Sequence, residues 1–408
     1  MRYGQLATSA AAGEGHGRVS LRIGDGRHSM RAPRAIVIAS PGGIARGGGM
    51  GSVTRAMRGW LAENAPQTRV FVIDPHGGGS ALVWPLRLLL TMLQLVWLRV
   101  FRGADILHLQ ISEGGSFLRK GLLLRLGKLL GMRVVLHHHG ARLRPFLVSA
   151  RGVRRVFIQR TIRLADINLV LGEGVKRLLA EHGGLRGERG IVLCNACPDP
   201  GYGRALEDGT HFLLPAVLSP RKGIDDFLKA IALLVARGHD VTATLAGGGD
   251  VARYSALAET LGLKGRVRFA GWLPPASIFE LHGRSRALVL PSFDEGMPMA
   301  IIEALATGLP VIATPVGTIP EILRHGETAL LVPPGDSIEL AGAMERIAGD
   351  DMLAARLSLE GRQLYERSFG LDRYMRRLLA LYTGAPLRQP AGQHQIGDYR
   401  GAAAPERR

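Results

Sequence analysis

Cysteine is scarce in this chain, with only Cys194 and Cys197 among 408 residues. A C-x-x-C pair is compatible with a redox or metal site, but no second pair is present to complete a zinc site. The pair follows an apolar run at residues 191–193. We therefore interpret both as reduced cysteines in or beside a strand, which indicates a cytoplasmic rather than a secreted protein.

Long hydrophobic runs are also lacking. No run of about 18 uncharged apolar residues occurs, so a membrane span is not expected. The N-terminus has no apolar core of the kind found in signal peptides. The nearest candidate for a membrane segment, residues 86–101, carries Arg87 and Arg99 near its ends. It suits a buried helix or a helix that lies in a membrane interface.

Aromatic residues make up only 5% of the chain, and 34 acidic residues are outnumbered by 52 basic ones, for a net charge of +18. A basic surface favours anionic partners, which include nucleic acid, acidic lipid headgroups and phosphorylated substrates. The low aromatic content and the lack of a binding motif argue against nucleic acid. Hydrophobic residues (46%) and length suit a globular chain of two or three domains.

Short apolar runs alternate with longer helical stretches along most of the sequence. Runs that are apolar on both faces are typical of parallel strands covered by helices, which predicts α/β domains with doubly wound sheets. The predicted strands lie at residues 35–39, 70–73, 106–109, 134–136, 167–170, 191–193, 212–214, 241–245, 267–269, 287–290, 311–313 and 329–332. After Lys222, apolar residues at helical spacing predict a helix that ends at Gly238.

The breaks in this pattern predict the domain organisation. We expect a disordered extension at 1–33, a first Rossmann-like domain at 34–205 and a second at 206–366. A C-terminal helix at 367–384 is expected to pack back on the first domain, and a tail at 385–408 is expected to be disordered. Two such domains place the carboxyl ends of their strands across a cleft, where ligands of these folds bind.

Residues 291–308 carry the strongest local signal for chemistry. A strand ends at Pro291, a loop carries Glu295, and Pro298 is suited to open a helix that contains Glu303 and ends at Gly308. In a nucleotide-sugar site, Glu295 would face the transferred sugar and Glu303 would accept hydrogen bonds from ribose hydroxyls. The alternative is that both are ordinary loop and helix glutamates.

The E-x7-E element Glu295–Glu303 and its surroundings resemble glycosyltransferase family 4, a retaining family with two Rossmann-like domains in the GT-B arrangement. The first half is similar to members that build bacterial polysaccharides, through residues 105–109, 115–120 and 136–140. The second-half motifs that carry the resemblance are residues 222–230, 245–249, 269–273, 315–322 and 326–335.

The resemblance implies roles for individual residues. Catalytic roles fall to Glu295 at the donor sugar, Lys222 at the diphosphate leaving group and His139 at the transferred sugar or reaction centre. A glycine-rich turn after the first strand, residues 47–52, would let the backbone approach a phosphate closely. The implied donor-binding residues are Glu303, Gly296, Met297, Pro298, Arg221, Leu273, Gly48 and Gly49.

One departure from the family concerns the diphosphate. Pro215 and Ala216 stand where an arginine usually follows the first strand of the second domain, and Arg221 is a candidate substitute. No D-x-D triplet is present, so no metal is predicted. The only small-molecule requirement implied is a UDP- or GDP-linked sugar, with no separate cofactor.

The implied function is retaining transfer of a hexose-type sugar to a lipid-linked or polysaccharide acceptor in cell-surface or exopolysaccharide biosynthesis. The basic surplus and residues 86–101 favour peripheral contact with an anionic membrane, on the inner face of the cell membrane. Arg119 and Lys120 are candidates to meet the phosphates of a lipid-linked acceptor; the alternative is a solvated basic turn.

Two further functions stay open at this point. A nucleotide-sugar epimerase would share the fold and need no acceptor. An NAD-dependent oxidoreductase would use Asp74 at the end of the second strand for ribose, but the glycine pattern after the first strand does not fit, and Glu295 and Glu303 would have no role.

Overall fold

The computed structural model describes residues 33–41, 48–76, 83–201 and 209–385. These residues form two parallel six-stranded sheets, one from each half of the chain, with helices between consecutive strands. The predicted α/β class with two doubly wound, Rossmann-like domains is confirmed. The predicted domain boundary at 205/206 lies outside the described residues. So do the expected N-terminal extension, apart from residue 33, and the expected C-terminal tail, apart from residue 385.

The first sheet has the strand order β2-β1-β3-β4-β5-β6. Its strands are β1 (Ala35–Ala39), β2 (Arg69–Ile73), β3 (Ile106–Ile111), β4 (Arg133–His138), β5 (Ile167–Val170) and β6 (Gly190–Val192). Its helices are α1 (Gly49–Asn64), α2 (Trp84–Arg102), α3 (Gly115–Leu129), α4 (Leu143–Val148), α5 (Gly152–Leu164) and α6 (Glu173–Leu178). A π-helical turn, Leu179–Gly183, continues α6.

The second sheet has the order β12-β11-β10-β7-β8-β9. Its strands are β7 (His211–Leu214), β8 (Thr242–Ala246), β9 (Val267–Gly271), β10 (Ala287–Leu290), β11 (Val311–Ala313) and β12 (Leu330–Leu331). The helices are α7 (Ile224–Ala236), α8 (Val251–Thr260), α9 (Pro275–Gly283), α10 (Met299–Thr307), α11 (Ile319–Ile322), α12 (Ser337–Gly349), α13 (Asp351–Ser368) and α14 (Leu371–Thr383).

The strand order places a switch point at the first strand of each domain. β1 lies between β2 and β3, and β7 lies between β10 and β8. The connections that follow β1 and its neighbour β3 run to opposite sides of the first sheet, as those that follow β7 and β10 do in the second, and a crevice opens between the carboxyl ends of such a pair. The segments that follow β1 and β7 therefore stand where a ligand of this fold class would bind.

The strands form where the sequence is apolar on both faces. Every residue of β1 and of β10 is at most 1% exposed, as expected for parallel strands covered by helices. Each of the twelve predicted runs coincides with a strand, with ends that differ by at most two residues. The predicted helix after Lys222 is α7, and Gly238 stands two residues beyond its end with φ +88°, a conformation that favours glycine.

The last helix, α14, packs against α1 of the first domain. The Tyr382 hydroxyl lies 2.6 Å from Nδ1 of His108 on β3. The Trp60 indole N–H donates to the Asp372 carboxylate. The chain thus returns to the first domain after completing the second.

Helix α2 has an unusual surface. It buries Leu88, Thr91, Leu95 and Leu98. The large apolar side chains on its other face are 46–71% exposed: Leu86, Leu89, Leu90, Leu93, Trp97, Val100 and Phe101. Within the described residues, α2 alone is long and apolar enough to cross a membrane, although length and composition do not distinguish such a helix from one packed on a soluble core.

Candidate active site

Lys222 and Glu295 form a buried ion pair beyond the carboxyl ends of the second sheet. The Lys222 ammonium lies 2.5 Å from Oε1 of Glu295, and their side chains are 13% and 6% exposed. The Ser292 hydroxyl donates to the same oxygen at 2.7 Å. The structure therefore brings together the two charged residues that the sequence analysis assigned to the leaving group and to the sugar.

Two glycines allow this close packing of loops. Gly223, which follows Lys222, has φ +67°, and a Cβ atom there would lie 2.0 Å from the carbonyl oxygen of Pro291. Gly317 has φ +61°, and a Cβ atom there would lie 1.9 Å from the carbonyl oxygen of Glu295. Any side chain at either position would force the loops apart and combine a steric clash with an unfavourable backbone conformation.

The two domains meet at Gly296. A Cβ atom at Gly296 would lie 3.1 Å from the carbonyl oxygen of His139, which follows β4 of the first domain. The Arg142 guanidinium also reaches across, with Nε 4.0 Å from Oδ2 of Asp294. The backbone of His139 is thus brought beside the Glu295 loop.

The His139 ring belongs to a buried histidine cluster. It lies against the His137 ring with centroids 4.0 Å apart, and His137 lies 3.3 Å from His108. Desolvation by burial lowers the pKa of His139 to about 3 and that of His108 to about 3. The His139 imidazole is therefore neutral at physiological pH, and Nε2 has no hydrogen-bond partner among the described residues.

Glu303 lies in the second turn of α10, so the E-x7-E element is part loop and part helix. Burial raises the pKa of the Glu303 carboxyl group to about 7, whereas the attraction of Arg55 on α1 lowers it. Glu303 and Arg55 belong to different domains, so their attraction acts across the space between α1 and α10.

The starts of α1 and α10 approach each other across this space. A Cβ atom at Gly49 would lie 3.4 Å from Cγ of Met299. Neither helix has a side-chain cap, since α1 follows Gly48 and α10 follows Pro298. Pro298 was predicted to lie in the first turn of α10, and the helix instead begins one residue later. Uncapped helix starts present unpaired N–H groups and partial positive charge, which suits an anionic group.

The remaining predicted donor-binding residues lie in loops of the second domain. Arg221 donates to the Asp294 carbonyl oxygen at 2.5 Å, so the candidate substitute for the missing arginine is engaged with the Glu295 loop. Leu273 is partly exposed just beyond β9. Ala216 follows β7, and a Cβ atom at Gly247 would lie 1.9 Å from its carbonyl oxygen. Residue 47 of the glycine turn lies outside the described residues.

Two contacts between the domains were not predicted. The Glu321 carboxylate accepts hydrogen bonds from the backbone N–H groups of Glu173 and Gly174, at 2.7 and 2.9 Å, at the start of α6. The Asn195 side-chain amide donates to the Met297 carbonyl oxygen at 3.2 Å. Glu321 belongs to a motif that the sequence analysis noted, but the motif gives no sign of a partner 148 residues away.

Across residues 33–41, 48–76, 83–201 and 209–385, no three His, Cys, Asp or Glu side chains group as metal ligands. Cys194 and Cys197 are free thiols. Desolvation by burial raises the pKa of Cys194 to about 12 and raises that of Cys197 further. Both thiols therefore stay protonated and unreactive at physiological pH.

Comparison with known sequences connects this site to a family. Residues 204–364 match the family described as glycosyl transferases group 1. The matched segment contains Lys222, Glu295 and Glu303. It spans the second sheet from β7 to β12.

Two curated relatives match the chain at similar levels. An exopolysaccharide phosphotransferase of Streptomyces coelicolor is 33% identical over 223 residues, which is 53% of this chain and 23% of that protein. A D-inositol 3-phosphate glycosyltransferase of Corynebacterium glutamicum is 32% identical over 175 residues, which is 41% of this chain and 42% of that protein. The chain therefore covers less than half the length of these relatives.

Solved structures share the fold over most of the chain. Sucrose-phosphate synthase of Thermosynechococcus elongatus superposes with a TM-score of 0.73 at 20% identity, covering 86% of this chain and 98% of that one. Anabaena HepE, in complex with UDP and glucose, superposes with a TM-score of 0.65 at 17% identity, covering 86% and 99%. The arrangement of two facing domains is the GT-B fold.

Proposed function

We propose that this protein transfers a hexose-type sugar from a UDP- or GDP-linked donor to an acceptor hydroxyl, with retention of anomeric configuration and without a bound metal. The match to glycosyl transferases group 1 supports glycosyl transfer. The UDP and UDP-glucose complexes of HepE support a nucleotide-sugar donor. The Streptomyces relative's name supports an exopolysaccharide role, here with a lipid-linked or saccharide acceptor.

The observation that carries the proposal is the Lys222–Glu295 pair at the cleft between two switch points. A diphosphate beside the Lys222 ammonium would also meet the uncapped starts of α1 and α10. The sugar attached to it would lie by Glu295 and the His139 backbone. Glu303, in the second turn of α10, would accept hydrogen bonds from the ribose hydroxyls.

In the proposed reaction, the bond between the anomeric carbon and the β-phosphate oxygen breaks, and the acceptor oxygen bonds to the same face of that carbon. The acceptor's proton passes to the departing phosphate. Lys222 and backbone N–H groups stabilise the negative charge that builds on the diphosphate. The Glu295 carboxylate stabilises the positive charge that develops on the sugar ring.

The test is proton NMR of the first product formed from UDP- and GDP-hexoses with and without acceptors. We expect acceptor-dependent release of nucleoside diphosphate and a product with the donor's anomeric configuration. An inverted product contradicts retention. Conversion of the donor sugar without acceptor would instead indicate an epimerase.

We further propose that the exposed face of α2 docks on the anionic inner face of the cell membrane. Its seven exposed apolar side chains form an apolar strip. α2, α3, α4 and α5 together carry twelve Arg and Lys residues and no Asp or Glu. α3 packs against both α2 and α5, so these basic helices are next to the helix that carries the strip. Apolar insertion and attraction to anionic lipid then act together.

Flotation with phosphatidylglycerol-containing vesicles tests this docking. Replacing both Leu90 and Trp97 with Glu should lower the partition coefficient of the protein onto the vesicles at least about tenfold. Each change removes apolar surface that docking would bury in the membrane. The matched control replaces Met352 and Leu359, which are 81% and 58% exposed on α13, with Glu. Equal flotation of both double variants, or no binding of the wild type at low salt, would refute membrane docking.

A further inference from the structure

Two cations fold back over the first turn of α3. The Lys120 ammonium lies 3.0 Å from the Ser116 hydroxyl, which belongs to that turn. Arg119 Nη1 lies 3.1 Å from where a Cβ atom of Gly115 would stand. No side chain caps this 15-residue helix at Gly114, and its first turn has no acidic residue. Two positive groups thus lie at the positive end of the helix dipole, where cations are unfavourable.

Neither cation has a carboxylate partner in the described part of the chain. Lys120 is 1% exposed, and the Ser116 hydroxyl uses only one of its three donors. The Arg119 Nε is buried without a hydrogen-bond partner. Burial lowers the pKa of Lys120 to about 7, with Arg119 lowering it further and Asp74 opposing. The alternative of a solvated basic turn is therefore wrong for Lys120.

This turn adjoins the reaction centre. A Cβ atom at Gly140 would lie 2.1 Å from the Glu113 carboxylate, just before the α3 turn. His139, whose carbonyl oxygen contacts Gly296, is also influenced by the charge of Lys120. The exposed Gly114 has open space where a side chain would be. The α3 turn is therefore accessible at Gly114.

We infer that the start of α3 binds a phosphate or diphosphate group of the acceptor, held by Arg119, Lys120 and the free backbone N–H groups of the first turn. Only the identification of the ligand as the acceptor rests on the proposed function; the anion site itself does not depend on it. An anion there would neutralise both cations and complete the hydrogen bonding of Lys120 and Arg119. Asp74 follows β2 and attracts both cations. Its carboxylate would accept hydrogen bonds from hydroxyl groups next to that phosphate.

Isothermal titration of the full chain with inorganic pyrophosphate, glucose 1-phosphate and farnesyl diphosphate tests the site. We expect Arg119→Gln and Lys120→Met each to weaken pyrophosphate binding about tenfold or more, because each removes a charge-assisted contact. The control Arg155→Gln removes an equal charge from the exposed surface of α5. Lys222→Met separates this site from the donor's diphosphate site.

Wild-type pyrophosphate affinity in both α3 variants would overturn the inference, as would loss of all binding in Lys222→Met alone. A loss confined to the α3 variants supports it. Tighter binding of farnesyl diphosphate than of glucose 1-phosphate identifies a lipid source, and the reverse identifies a soluble sugar phosphate. If no nucleotide sugar binds the protein but pyrophosphate still depends on Arg119, the proposed function fails while the anion site stands.

Discussion

Replacing Lys222 with Met is expected to lower the rate of sugar transfer by about 10²–10³-fold, the range seen when one preorganised donor to a developing negative charge is removed. Lys222 is the cation whose charged group contacts the Glu295 carboxylate. The family resemblance implies an arginine where this chain has Ala216, which would leave more of the diphosphate charge to Lys222. The measurement is the initial rate of nucleoside diphosphate release with acceptor at saturating donor.

Loss of folding has to be separated from loss of catalysis in this variant. Removing Lys222 leaves the buried Glu295 carboxylate with only the Ser292 hydroxyl, and breaking a buried pair in this way costs about 3–5 kcal/mol. The double variant Lys222→Met, Glu295→Gln has no unpaired charge. Its urea midpoint should return toward the wild-type value while transfer stays low. Recovery of transfer together with stability would mean that neither Lys222 nor Glu295 takes part in the reaction.

Replacing Glu295 with Gln is expected to reduce transfer by about 10²-fold, again by loss of an electrostatic contact made in the transition state. Glutamine keeps the shape and still accepts from Ser292, so the loop should persist. Nucleoside diphosphate affinity should be unchanged or tighter, because Lys222 no longer has an anionic protein partner. This division between rate and affinity is the signature of a residue that contacts the sugar rather than the phosphates.

Glu327→Gln provides the comparison for Glu295, since Glu327 is an exposed glutamate paired with Arg324 on the surface of the same domain. It should leave both rate and affinity within about twofold of wild type, as surface ion pairs contribute little. If Glu295→Gln behaves like this variant, the carboxylate has no part in the reaction, and the Lys222–Glu295 pair is structural.

The strands could be predicted from sequence because burial on both faces leaves a purely apolar run. β1, for example, is one uninterrupted run in which all five residues are fully buried. The helix α7 was equally predictable, because its apolar spacing and Gly238 are local signals. The charged residues of the candidate site were found through the family resemblance of the motifs that contain Lys222 and Glu295, which follow β7 and β10 in the chain.

Contacts between distant segments could not be predicted. Nothing in the sequence around Glu321 identifies the start of α6 as its partner. Likewise, no local signal distinguishes Gly317, which packs against the Glu295 backbone, from other loop glycines. The exposure of α2 was also open, because an apolar stretch fits a buried helix as well as a surface one. Only the packing of the whole domain decides such cases.

The most direct test of the central claim is calorimetric titration of UDP- and GDP-hexoses into the wild type, Lys222→Met and Glu303→Gln. The account predicts that a nucleotide sugar binds the wild type, and that each variant binds it at least about tenfold more weakly because each loses a polar contact at a different end of the same ligand. Unchanged affinity in both variants would contradict a donor site between Lys222 and Glu303.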